Sequence, residues 1–406
     1  MNFIHFIISG LAFYLSMIFY ILFIFFISLS VHIIVRFDYY SKNSKEQSLY
    51  LFYRLEKYLK NISFFLLNIS LAFSFTNIFK SSSLISKLFI ILLAYLIFNN
   101  ISNLIYILIT HNLISKIRDT KEKLNSKIRK YQKDYMFKNA FFISCILALY
   151  FILAFNLSVF SNIYLKATLF IIAIAILGNV FAPFYNKVYD YHKLKDIKLE
   201  TELRLLLKKA NIDDFELMYF LGKEDKNANA MLRFTDTCTI IFSDYLLSEF
   251  NIDEIKIILA HEMGHFMNKD PLKKMLGFCF YVYLLPIVLN LYEFMTKVDL
   301  YDFDKLNIFS FDIFRALNFD IFIIYILIII YSILYFFVRP FYQRLYEYKA
   351  DEYVFKLGLE FDDYKNTINK IMTMNNAVFK LNKFDELFSS HPCFFNRIKK
   401  AQNYKE

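Results

Sequence analysis

Seven long apolar stretches, separated by polar and mostly basic segments, constrain this chain more than any other feature. They cover residues 6–35, 62–79, 84–109, 138–161, 166–185, 273–295 and 318–339. A helix needs about 20 mostly apolar residues to cross the hydrocarbon core of a bilayer. Inside lipid the backbone must satisfy its own hydrogen bonds, which selects helix. Only 6 glycines and 5 prolines interrupt the 406 residues, so turns are few. The first stretch opens Met1-Asn2-Phe3-Ile4-His5, with no basic residue ahead of it and no small-residue cleavage site behind. It is expected to be a span and not a cleavable leader. The second, diluted by Asn68, Ser70 and Ser74, reads as a span or as a re-entrant segment with a buried polar face.

A hydrophobic content of 57% is far above a soluble domain, but enrichment in Phe, Ile, Lys and Asn also follows from AT-rich coding. The charge distribution decides. The net charge of +10 sits in loops: Arg36, Lys42, Lys45, Arg54, Lys57 and Lys60 after the first stretch, Lys116 through Lys133 after the third. The opposite loops are short or acidic, as at Asp299, Asp302, Asp304 and Asp312. The positive-inside rule then puts the N-terminus outside and both 186–272 and 340–406 in the cytoplasm. No basic patch interleaved with stacking aromatics lies outside these loops, which argues against nucleic-acid binding. Cys145, Cys238, Cys279 and Cys393 form no CxxC pair and read as packing thiols. Residues 46–60 read as an interfacial amphipathic helix or a plain connector. Residues 110–136 read as a solvated helical hairpin with Leu113, Ile117, Leu124 and Ile128 at helical spacing.

The chemistry is concentrated in the cytoplasmic segments. Asn251 and Glu254 make an Asn version of a capping box, and the helix they start runs into His261-Glu262-Met263-Gly264-His265. Four residues apart on a helix, the two imidazoles share a face and can reach one ion. Glu262, one position on, stands beside that ion, where it can take a proton from water. Gly264 lets another backbone or a substrate come close. A catalytic zinc takes three protein ligands and keeps a fourth position open. Glu347 is the candidate third ligand, with Asp351 one turn on to support a histidine. A Glu-x-x-x-Asp face alone is commonly only solvated surface. Here it follows a span ending at Arg339-Pro340, as another span begins soon after His265. The remaining histidines His5, His32, His111 and His192 have no ligand spacing.

With those motifs in place, the chain resembles membrane gluzincins of the CAAX prenyl protease 1 type, with the shorter HtpX-type proteases as cousins. Residues 239–247 are similar to the strand and turn before that family's HExxH helix. Glu347-Tyr348-Lys349-Ala350-Asp351 resembles its second motif, and Ser390-His391-Pro392 with Arg397 its C-terminal element. Asn229-Ala230 resembles the pair that binds substrate backbone. The resemblance implies seven helices around a chamber with one Zn2+ per chain on its wall. It also implies that His391 and Arg397 stabilise the oxyanion. Cys393 stands where many relatives have a second proline, and Met231-Leu232 replace an aromatic, which bears on substrate choice.

The expected protein is mainly α, a polytopic membrane protein with a small cytoplasmic α/β zinc-peptidase region. Residues 1–185 form a membrane domain of five spans, and 186–406 a metallopeptidase domain with spans 273–295 and 318–339. Its partners are the bilayer and a peptide or protein substrate, membrane-associated or lipidated. It belongs in the cell membrane of a bacterium or the endoplasmic reticulum of a eukaryote, with the active site facing the cytoplasm. A quality-control protease of the HtpX kind is the alternative. A metal transporter is the rival outside the enzyme class, disfavoured because the first, fourth and seventh stretches hold almost no ionisable residues.

Overall fold

The computed structural model describes residues 2–42, 47–56, 84–154, 162–212, 215–234, 238–297, 338–377 and 379–404, with Lys45 and Tyr58 besides. Long apolar sequence without helix breakers gives long helices: α1 (Asn2–Lys42), α2 (47–56), α3 (Leu84–Arg118), α4 (Leu124–Ala154) and α5 (Ile163–Tyr189). The stretches expected at 6–35, 84–109, 166–185 and 273–295 lie within described helices, and 138–161 does so as far as residue 154. The stretch at 62–79, and that at 318–339 except its last two residues, lie outside the described residues. By length and composition, two helical segments among the described residues can cross a membrane, Ile18–Ser41 and Ile163–Phe184. Only 28% and 6% of their most apolar windows are buried. A soluble core helix would be covered by protein, whereas here Phe26, Phe37, Ile176 and Phe184 face outward. The number seven remains a reading of the sequence.

The chain divides into two compact units: residues 1–155, 173–259 and 362–379, and residues 156–172, 260–361 and 380–406. In the first, Val31 and Val35 of α1, Leu49 and Phe52 of α2, and Leu113 and Ile117 of α3 form a buried cluster. Phe52 stacks on Tyr106, with ring centroids 5.7 Å apart. Residues 47–56 thus pack Leu49 and Phe52 on protein. The hairpin expected over 110–136 exists, turning at Asp119 with φ of 53°. Its first arm is not solvated, because Leu113 and Ile117 serve the cluster. At its tip the buried Glu122 lies 3.3 Å from Lys127 and 3.2 Å from Lys130, and Lys130 also reaches Asp225 at 3.3 Å.

The same unit holds a four-stranded sheet in the order β1-β2-β4-β3, built from β1 (His192–Lys193), β2 (Phe215–Phe220), β3 (Ala230–Phe234) and β4 (Cys238–Ser243). β2 and β4 are parallel, and the outer pairs are antiparallel. Ile240, Ile241 and Phe242 of β4 are fully buried, and Leu199, Leu203, Leu206 and Leu207 of α6 (Ile197–Lys209) are buried too. Ser243 closes β4 and caps α7 (Asp244–Glu249), its Oγ accepting from the Leu246 N–H at 3.1 Å. The strand and turn expected before the histidine helix are therefore present.

That helix is α8 (Ile252–Met267). Its capping box closes both ways: the Asn251 N–H donates to Glu254 Oε2 at 2.8 Å, and the Glu254 N–H to Asn251 Oδ1 at 2.9 Å. Lys370 of α11 (Phe361–Met374) adds a 2.7 Å hydrogen bond to Glu254 and stands over the Phe250 ring. With its start fixed in this way, α8 carries its histidines at a defined rotation.

Candidate metal centre

The second unit gathers the C-terminal half of α8, the start of α9 (Asp270–Lys297), α10 (Arg339–Lys356), α12 (Lys383–Leu387), α13 (Phe394–Gln402) and the loop between the last two. Gly264 sets the approach of α8 to α10. A Cβ there would lie 2.7 Å from Ala350 Cα and 2.8 Å from Ala350 O. The two backbones touch only because residue 264 has no side chain. The close neighbour is thus α10, which brings Glu347, one turn before Ala350, against the histidines.

His261 Nε2 lies 3.5 Å from Glu347 Oε2, and His265 Nε2 lies 3.6 Å from Glu347 Oε1. The three donor atoms fall within 4.8 Å of one another. Zinc bonds of about 2.0–2.2 Å at tetrahedral angles place donors about 3.3 Å apart, so this set fits one ion. Both Nδ1 atoms are engaged on the far side. His261 Nδ1 is 2.9 Å from Asp351 Oδ1, and His265 Nδ1 is 2.9 Å from Asp270 Oδ2. Each carboxylate is buried, and each can accept a hydrogen bond from Nδ1–H and so leave the Nε2 lone pair facing Glu347.

Charge around the centre is balanced tightly. Burial disfavours the charged form of His261, but hydrogen bonds and charge from Asp351 and Glu347 outweigh it and push its pKa up to about 10. Burial opposes ionisation of Glu347 too, yet His261 and His391 hold it well below the usual carboxylate range. Asp351 is likewise kept low against burial, mainly by Arg397 and then by His261.

The chain matches the model of peptidase family M48 over residues 193–405, which takes in every residue of this centre. The chain belongs to peptidase family M48. M48 enzymes are metallopeptidases, typically with zinc, and the His-His-Glu group suits that ion. The fold is similar to the crystal structure of S. mikatae Ste24p, at 16% identity with a TM-score of 0.59. The match covers 97% of this chain and 98% of the other. Among curated protein sequences, none matches this chain.

Other residues marked from sequence fall into place in this M48 peptidase with different partners. Glu262 is half-buried on α8 between the two histidines. His391 lies with Nδ1 3.2 Å from Glu347 Oε1, while its side chain is 69% exposed. Arg397 donates to both oxygens of Asp351, at 2.9 and 2.5 Å, and its Nη2 lies 3.5 Å from His261 Nδ1. Asn229 and Ala230 belong to the first unit, at the start of the edge strand β3. There the Asn229 N–H donates to Ser243 Oγ at 3.1 Å and its carbonyl accepts from the Ser243 N–H at 2.8 Å. Cys393 is a buried free thiol.

Two residues of the M48 centre escaped the sequence reading. Asp270 is one, and its only linear signal is its place five residues after His265. Arg344, one turn before Glu347, is the other. Its buried guanidinium donates to the carbonyls of Glu386 at 2.6 Å and Ser389 at 2.7 Å. Ser389 Oγ in turn donates to the His391 carbonyl at 2.7 Å. One helix thus carries Glu347 and also anchors the loop that presents His391.

Proposed function

We propose that the chain is an integral-membrane zinc metalloendopeptidase of the CAAX prenyl protease kind, with His261, His265 and Glu347 as the ligands. The observation that carries this reading is the ligand set itself: three donors converging, both histidines braced from behind, and the exposed His391 beside Glu347. Zinc, when bound, supplies the Lewis acidity that activates a water near neutral pH and polarises the scissile carbonyl. Glu262 accepts the proton of the attacking water and returns it to the leaving amine. His391, with its exposed ring, donates to the oxygen on which negative charge develops. Arg397, committed to Asp351 by two hydrogen bonds, holds Asp351 ionised and so keeps the His261 ring in place. Asn229 and Ala230, at the start of an edge strand, are the pair that binds substrate, with the Asn229 side chain hydrogen-bonding the backbone of an extended peptide.

The membrane setting rests on the outward apolar faces of α1 and α5, and the basic loops support a multi-pass chain with its site on the cytoplasmic side. Correspondence with Ste24p along nearly the whole chain supports substrates presented as free or lipidated C-termini at the membrane. The test supplies detergent-purified protein with a prenylated C-terminal peptide, the same peptide without lipid, and an unfolded membrane-protein reporter. Preferential cleavage of the prenylated peptide is the expected result. Cleavage of the reporter alone would replace it with the quality-control reading. Metal transport into vesicles without any cleavage would end the protease reading.

A further inference from the structure

We propose that Asp270 is a positioning residue of the metal centre, fixing His265 with its proton on Nδ1 and its lone pair on Nε2 aimed beside Glu347. The inference rests on the zinc reading above and adds a residue to it. Asp270 opens α9, and its side chain is wholly buried. A carboxylate withdrawn from water is costly unless it is paired. Its pairing is specific: Oδ2 lies 2.9 Å from His265 Nδ1, while Lys273 Nζ stands 3.5 Å from Oδ1. Lys273 is itself drawn elsewhere, donating to the Asn268 carbonyl at 2.5 Å and lying 5.5 Å from the centre of the Tyr346 ring. The short contact of Asp270 is therefore the one to the histidine.

The geometry also gives the two histidines unequal support. Asp351, behind His261, shares its charge with the fork of Arg397. Asp270 has only the longer contact to Lys273, so more of its negative charge acts on His265. A carboxylate behind a ligating imidazole holds the ring's orientation and raises the basicity of the other nitrogen. The turn through Asn268 and Lys269, where Lys269 adopts a φ of 54°, delivers Asp270 to that spot five residues after the ligand it serves.

A rival role is plain helix initiation, in which an acid in the first turn of α9 favours the helix. Asp270→Asn separates the two, since Asn is also well tolerated at a helix start but lacks the carboxylate. Zinc affinity is measured on the full-length detergent-purified protein by competition with a chromogenic chelator, and the thermal midpoint is recorded on zinc-free samples. Asp270→Asn is expected to bind zinc about 10–100-fold more weakly with the zinc-free midpoint unchanged. Affinity within twofold of wild type would overturn the inference. Should Asp270→Asn fold poorly, Asp270→Glu and Asp270→Gln differ only in charge. Tenfold tighter zinc in the Glu variant supports the role, and equal affinities overturn it. A wild-type protein that takes no zinc would bring down the metal reading and this inference together, whereas equal binding by wild type and Asp270→Asn removes the inference alone.

Discussion

The apolar helices α1 and α5 and the neighbourhood of the metal centre use sequence in opposite ways. Along Ile18–Ser41 and Ile163–Phe184 almost any large apolar residue should serve, because most of the helix surface is uncovered by protein and, in the membrane setting proposed above, would meet lipid with no fixed neighbour. At the centre, His261, His265 and Arg344 each have a named partner at hydrogen-bond distance, and one glycine decides whether two backbones can meet. Where the first region tolerates change, the second fails at a single atom. The metal centre thus depends on few residues, and the outward apolar faces of α1 and α5 on many interchangeable ones.

That contrast can be tested from its strong end to its weak one. Glu262→Gln is expected to retain zinc and lose about 10²–10⁴-fold in kcat, read by peptide cleavage beside elemental analysis. Unaltered turnover would remove Glu262 from the chemistry. Gly264→Val pushes a side chain into the Ala350 backbone and should cost about 1–3 kcal/mol, seen as a lower thermal midpoint and weaker zinc binding. A variant as stable as wild type would mean that α8 and α10 have room to separate. Arg344→Lys keeps the charge but not the planar fork, with an expected loss of about 1–2 kcal/mol and a fall in kcat larger than any rise in KM. Equal changes in both would place Arg344 outside the presentation of His391. Ile176→Leu on the outward face of α5 should change stability by less than about 0.5 kcal/mol. A large effect there would show that this face is packed and not lipid-exposed.

The sequence made the ligands legible because their relations are local. Spacings of four residues within α8 and within α10 put His261 with His265, and Glu347 with Asp351, on single helical faces before any tertiary structure is known. The capping box at Asn251 and Glu254 is local in the same sense. What stayed hidden depends on how the chain returns to itself. The parallel pairing of β2 with β4, with β3 outside, follows from a crossover that no strand pattern specifies. Leu113 and Ile117 looked like one stripe of a charged, solvated helix, and only the return of α1 and α2 against them makes them core. Arg344 reads as an ordinary surface charge until the chain brings carbonyls from 42 and 45 residues downstream to it. Asp270 is close in sequence, but its partnership depends on a left-handed residue at Lys269 that composition does not announce.

The most direct test of the account is the zinc content of the detergent-purified chain, compared between wild type and Glu347→Ala by elemental analysis after extensive dialysis. One zinc per wild-type chain and its loss from Glu347→Ala is the expected result. No zinc in the wild type, or a full complement retained without Glu347, would contradict the metal centre on which the proposed catalysis rests.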